Sequence, residues 1–142
     1  MSRATLLIAA SALALGVACE DEPDPCVVVE GSAVTVCVVN EIGDPLTPQV
    51  VTWYRSPDDP DFDGEHNAQC EAEPCTLWSV PTAFNGVDLT GDIFVAGLYS
   101  GPPHHLDSCI YQDYQEQMVT LTPGEPVLVE IALDTTAERC EE

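Results

Sequence analysis

The sequence is poor in basic residues. Lysine and arginine together number 3 against 25 aspartates and glutamates, which gives the 142-residue chain a formal net charge of −22. Such a surface repels the phosphates of nucleic acids and of anionic lipid head groups, so we expect no nucleic-acid partner and no electrostatic docking on a membrane. High net charge is also typical of disordered chains, but a hydrophobic content of 45% favours a folded core.

The sequence also lacks an apolar run long enough to span a membrane, which takes about 20 residues. The uncharged stretch at residues 4–18 is shorter, follows Arg3 and ends in small residues. A positive charge, a short apolar segment and small residues at its end are typical of a secretory signal peptide. We therefore predict a cleaved signal peptide at residues 1–18.

A cysteine follows this stretch directly. The sequence LGVAC at residues 15–19 resembles the lipobox of bacterial lipoproteins, with Gly16 where that family usually has leucine. The resemblance implies that Cys19 begins the mature chain and carries diacylglycerol, with fatty acids such as palmitate. It implies a lipoprotein anchored in the cell envelope, at the outer membrane or the periplasmic face of the inner membrane. Ordinary signal cleavage after Ala18 is the alternative.

The remaining cysteines are even in number, as expected for an exported chain with paired disulfides. Three bridges among six cysteines allow fifteen pairings, and the sequence does not choose among them. The C-x4-C pair favours a bridge between Cys70 and Cys75 over a zinc site with His66 and either His104 or His105. The six disulfide candidates are Cys26, Cys37, Cys70, Cys75, Cys109 and Cys140.

The rest of the chain shows strand periodicity. Apolar residues alternate in several short runs bounded by glycine and proline, and no helix of three turns is evident. This pattern predicts an all-β fold, a single antiparallel β-sandwich of about seven strands stapled by disulfides. Residues 56–74 are predicted to be an acidic loop. The alternating positions include Val34, Val36 and Val38, then Val51 and Trp53, and then Val127, Val129 and Ile131.

Four segments follow from these observations. They are the signal peptide at residues 1–18, an acidic lipid-anchored tether at 19–26, the β-sandwich at 27–134 and an acidic C-terminal tail at 135–142. The tether sequence EDEPDP is expected to be extended, because its charges repel one another and its prolines are stiff.

Two long stretches carry a family resemblance. AVTVCVVNEIGDPLTPQVVTWY at residues 33–54 resembles the opening of carboxypeptidase regulatory-like domains, and MVTLTPGEPVLVEIALD at 118–134 resembles their closing strand pair. The resemblance implies a prealbumin-like β-sandwich. It supplies no catalytic residue.

An acidic loop offers a metal-binding pattern. Asp59, Asp61, Asp63 and Gly64 match the first half of a D-x-D-x-D-G calcium loop, in which alternate carboxylates point inward around a sharp turn. The second half departs from that pattern, because Cys70 stands where glutamate is needed. Calcium is therefore an alternative to a solvated loop, and no other cofactor is expected.

Catalytic motifs are missing from the sequence. It contains no G-x-S-x-G, no H-E-x-x-H and no glycine-rich phosphate loop, so we expect a protein that is not an enzyme. Trp53, Tyr54 and Trp78 are either core residues or an aromatic platform for sugars. The expected function is a non-catalytic accessory or binding module. The alternative is a calcium-dependent adhesion or ligand-binding module, and whether the partner is protein or carbohydrate stays open.

Overall fold

The regular structure consists of β-strands throughout. A computed structural model describes residues 26–103 and 109–140, and within them the predicted all-β class is confirmed. These residues include no helix with the length and hydrophobicity of a membrane span. The signal peptide, Cys19, His104 and His105 lie outside the described residues. The strands are β1 (Ser32–Val39), β2 (Val50–Arg55), β3 (His66–Asn67), β4 (Gln69–Cys70), β5 (Leu77–Pro81), β6 (Ala83–Phe84), β7 (Val87–Asp88), β8 (Gly91–Pro103), β9 (Cys109–Leu121), β10 (Val127–Ala132) and β11 (Glu138–Cys140).

The strands form two larger sheets and one small hairpin. The four-stranded sheet has the order β10-β1-β5-β4, and the five-stranded sheet has the order β11-β9-β8-β2-β3. The hairpin pairs β6 with β7. The two 13-residue strands β8 and β9 pair antiparallel over most of their length.

Side chains from both larger sheets share one hydrophobic core. In β1, Val34, Val36 and Val38 are at most 1% exposed, which confirms the predicted period of two. From the five-stranded sheet, Trp53 of β2 and Val95 of β8 are fully buried beside one another. The same cluster also includes Val51, Ala68, Trp78, Val80, Leu89, Ile93, Val119, Leu121, Val129, Ile131 and Leu133.

The last long strand departs from the expected antiparallel arrangement. β10 pairs in parallel with β1, from Val34 opposite Val127 to Val39 opposite Ala132. The turn after β9 carries the chain across to the other sheet, so β9 and β10 do not pair along their length. A wholly antiparallel fold was therefore wrong, because alternation along a strand reports its faces and not the direction of its neighbour.

Short strands form within the predicted acidic loop and in the segment after β5. β3 and β4 lie within residues 56–74, and the β6–β7 hairpin follows β5. The hairpin turn is formed by Asn85 and Gly86, with φ angles of 54° and 81°. An Asn-Gly pair with positive φ at both positions is the preferred two-residue turn between antiparallel strands. The FNGV sequence therefore indicates a hairpin turn. The two-residue strands themselves are too short to show an alternation of apolar and polar residues.

The C-terminal segment joins a sheet. Within residues 135–142, β11 pairs antiparallel with β9, so that Arg139 lies opposite Ile110 and Cys140 opposite Cys109. The segment is acidic, as expected, but residues 138–140 add a strand to the domain.

Candidate functional site

The six cysteines after Cys19 form three disulfides. The bridges join Cys26 to Cys37, Cys70 to Cys75, and Cys109 to Cys140. The predicted Cys70–Cys75 bridge is confirmed, and its two sulfurs are accordingly not available as zinc ligands. The other two pairings were left open by the sequence, because cysteine spacing does not reveal which strands are neighbours.

The first bridge fixes where the chain enters the fold. Cys37 lies between the inward-facing Val36 and Val38, so its side chain is on the outer face of the four-stranded sheet. Cys26 is bonded to it there, and the Val29 amide donates to Thr35 Oγ1 on the same face at 2.7 Å. The chain from Cys26 to Val29 therefore packs over the outer face of β1.

Groups of the protein itself engage two aspartates of the acidic loop. The Asp59 carboxylate accepts a hydrogen bond from the Asp61 amide at 2.8 Å, which closes a local turn. Asp63 Oδ1 accepts from Arg55 Nη1 at 3.2 Å and lies 2.7 Å from His66 Nε2. In the described residues, three potential ligand groups meet within 4.8 Å only at Cys70, Glu73 and Cys75, where both cysteines are bridged.

A buried arginine holds this loop in place. Arg55 ends β2 on the core-facing side and is 3% exposed. Besides its ion pair with Asp63, its guanidinium donates to the Asp61 and Val87 carbonyl oxygens at 3.3 and 3.4 Å. The hydrogen bond from His66 and the Arg55 charge hold the pKa of Asp63 below its ordinary value. Its carboxylate is thus engaged in structure, a role that sequence reasoning missed although Arg55 continues the Val51–Trp53 alternation.

The exposed functional candidates lie on the outer face of the five-stranded sheet. Tyr54 of β2 and Phe94 of β8 are cross-strand neighbours whose rings stack at 5.0 Å. Phe94 lies opposite Met118 of β9, and Tyr114 and Glu116 follow on the same side of that strand. Tyr114 and Met118 are 45% and 54% exposed. We call these five residues the tyrosine–glutamate face.

Glu116 is the centre of this face. Its Oε2 accepts hydrogen bonds from the Tyr54 hydroxyl at 2.6 Å and the Tyr114 hydroxyl at 3.3 Å. The hydrogen bond to Glu116 raises the pKa of Tyr54 to about 12. Partial removal from water raises the pKa of Tyr114, and the Glu116 charge adds to that shift. Two phenol rings therefore orient one carboxylate.

We expect tyrosine ionisation to report this arrangement. The folded pKa of Tyr54 lies above its ordinary value of 10.0, so its contribution to stability is complete below pH 10.0 and is lost as the pH rises through about 12. Ultraviolet titration of the tyrosinate band, compared with the Tyr54→Phe variant, isolates this group. Glu116→Gln should move the Tyr54 midpoint down towards 10.0. An unchanged midpoint would contradict the assignment.

The aromatic residues chosen from sequence divide between core and surface. Trp53 is fully buried and Trp78 is 8% exposed, with its indole N–H donating to the Cys75 carbonyl oxygen at 3.1 Å. Core packing is therefore the role of both tryptophans. Of the three, Tyr54 alone reaches the exposed face, and its partners Tyr114 and Glu116 are 60 or more residues away in sequence. Only the β2–β8–β9 pairing could have brought them together.

A cleft of about 370 Å³ lies at another edge of the fold. Its lining includes Phe84, Asn67 and Gln69, together with Ser79, whose hydroxyl donates directly to the Glu71 carboxylate. In a Ser-His-Asp triad a histidine lies between the hydroxyl and the acid, whereas here the serine and the carboxylate are hydrogen-bonded directly.

The chain was compared with family models, curated proteins and solved structures, and no relative was found.

Proposed function

We propose that this protein is a cell-envelope lipoprotein in which Cys19 carries the lipid anchor and the folded part is a non-catalytic binding module. The observation that carries the proposal is that all six cysteines after Cys19 are paired with one another. Disulfides persist in oxidising compartments, which agrees with export. Cys19, which the lipobox resemblance assigns to lipidation, is left without a cysteine partner.

The folded module is proposed to be a single β-sandwich of about seven strands. The six strands of five or more residues, together with β11, account for that number, and the shared core supports the packing of the two sheets face to face. The resemblance to carboxypeptidase regulatory-like domains agrees with this architecture.

The placement of the entry point supports a role in binding. The Cys26–Cys37 bridge brings the chain in over the outer face of the four-stranded sheet, whereas the tyrosine–glutamate face is the outer face of the other sheet. A lipid tether on one face leaves the opposite face accessible. Lipids would hold the module at a membrane, and its acidity would keep it off anionic head groups.

Membrane attachment should depend on Cys19. We expect Cys19→Ser to move the protein completely from the detergent-rich to the aqueous fraction in phase partitioning, and to abolish labelling by a clickable palmitate analogue. Gly16→Leu is the matched control, since it introduces the leucine that the lipobox usually has and should keep full labelling. A Cys19→Ser protein that still carries label would contradict the anchor.

The calcium-dependent alternative is tested separately. Because Asp63 is already engaged by Arg55 and His66, we expect millimolar calcium to give neither binding heat in calorimetry nor a shift in melting temperature. Magnesium at the same concentration is the control for ionic strength. A calcium-specific rise in melting temperature that Asp59→Asn removes would favour the alternative.

A further inference from the structure

We propose that the tyrosine–glutamate face and the adjoining edge of β9 bind an extended basic segment of a partner protein, which adds to the sheet as a strand. This inference rests on the proposed function, because it names the partner class of the binding module. Two features support it. One is an exposed strand edge, and the other is a carboxylate between aromatic rings that has no cationic partner in the described residues.

The edge of β9 has no strand neighbour over most of its length. β8 pairs with β9 from Ile110 to Leu121, but β11 covers its other edge only from Cys109 to Tyr111. In residues 26–103 and 109–140, no further strand pairs with residues 114–121 of β9. An edge of this kind presents backbone N–H and C=O groups to solvent and serves as a template for another strand.

Several of the usual protections of such an edge are missing from this stretch. Natural proteins guard edge strands with charged side chains, lysine above all, with proline or with bulges. The sequence YQEQMVTL at residues 114–121 contains neither lysine nor proline, and its pairing with β8 runs without a shift of register from Leu121 to Gln112. The edge is therefore regular enough to accept a strand.

The side chains beside this edge specify a cationic partner. Strand neighbours lie about 4.8 Å apart, so alternate side chains of an added strand would lie beside Tyr114, Glu116 and Met118. The Glu116 carboxylate attracts a lysine or arginine head group. The adjoining tyrosine rings offer faces for cation–π contacts.

In the described residues, no positively charged side chain forms an ion pair with the Glu116 carboxylate. The arginine ion pair in this part of the chain joins Arg55 to Asp63, which is also hydrogen-bonded to His66, so Glu116 has no cationic partner there. A second acidic group, Glu65, is hydrogen-bonded to Thr52 at 2.9 Å on the same side of β2. With a net charge of −22, the protein attracts basic segments over a distance and directs them towards such groups.

A second copy of the chain is a poorer occupant of the same edge. Two β9 strands side by side would bring acidic strands of the same sequence together, and like charges on neighbouring strands are destabilising. The overall charge of each copy adds to this repulsion.

The test is binding of a labelled probe peptide to the mature lipidated protein in non-ionic detergent, followed by fluorescence anisotropy at physiological ionic strength. The probe alternates lysine and threonine over the length of residues 114–121. We expect saturable binding that weakens as salt is raised. The same peptide with glutamate in place of lysine, and the lysine peptide with methylated backbone N–H groups, should each bind at least about tenfold more weakly.

Variants locate the site on the protein. Glu116→Gln should weaken probe binding about 3- to 5-fold, as expected for an exposed ion pair. Tyr114→Leu should weaken it by a similar factor through loss of the ring face. Glu130→Gln is the matched control, because it removes the same charge from exposed Glu130 on β10 of the other sheet and should leave affinity within about 1.5-fold.

Four results would overturn the inference. Equal weakening by Glu116→Gln and Glu130→Gln would show a general charge effect, and undiminished binding of the methylated peptide would rule out strand addition. Sedimentation of the lipidated protein as a dimer that Glu116→Gln strengthens would assign the edge to a second copy. The labelling of Cys19 is measured independently, so a lipidated protein that ignores the probe refutes this inference alone.

Discussion

Trp53→Ala is expected to lower the free energy of unfolding by about 3–5 kcal/mol. Trp53 is fully buried between the sheets, and its ring contacts His66 and Phe84 at centroid distances of 4.7 and 5.3 Å. Its removal would leave a cavity that the surrounding strands cannot fill without moving together. Because small domains are stable by only about 5–15 kcal/mol, this loss is a large fraction of the total.

Chemical denaturation followed by far-ultraviolet circular dichroism measures this effect. Ile42→Ala is the control, since Ile42 is 75% exposed and its truncation should change stability by no more than about 0.5 kcal/mol. Equal effects of the two substitutions would show that Trp53 does not occupy the core.

The second large effect is expected from the disulfides, and it should follow the length of chain that each one closes. Cys109 and Cys140 are separated by 31 residues, Cys26 and Cys37 by 11, and the third pair by 5. A bridge restricts the unfolded chain more when its loop is longer. Replacing both cysteines of a pair by serine should therefore cost about 3–4 kcal/mol for the longest loop, about 2–3 for the middle one and about 2 for the shortest.

The order of these losses is the discriminating result. The denaturation midpoint of each double-serine variant should be lower when the lost bridge closed a longer loop. The Cys109→Ser/Cys140→Ser protein should therefore be the least stable. That variant also releases β11 from β9, which adds to the loss. The greatest loss from the Cys70–Cys75 pair would contradict this account of the bridges.

Local sequence pattern predicted the faces of the strands but not their neighbours. Val34, Val36 and Val38 were assigned to one face because side chains alternate along any strand, and all three are buried. The parallel pairing of β1 with β10 was not predicted, because it depends on a crossing between sheets that alternation does not encode. The Asn85–Gly86 turn shows the reverse case, a local signal strong enough to predict a hairpin.

The candidate site was harder to predict because its residues come from three strands. Tyr54 and Glu116 are 62 residues apart and meet only through the pairing of β8 with both β2 and β9. In the acidic loop, the structural role of one aspartate was not predictable from spacing. Its aspartates are regularly spaced, but Asp63 faces Arg55, whose burial follows from the position of β2 against the core.

Intact-mass analysis of the purified mature protein tests whether six cysteines close the domain while the seventh carries lipid. We predict a chain of residues 19–142 with the added mass of a diacylglyceryl group, which gains two hydrogens on reduction for each of the three bridges. A chain that begins at another residue, or that has a free thiol at Cys19, would contradict it.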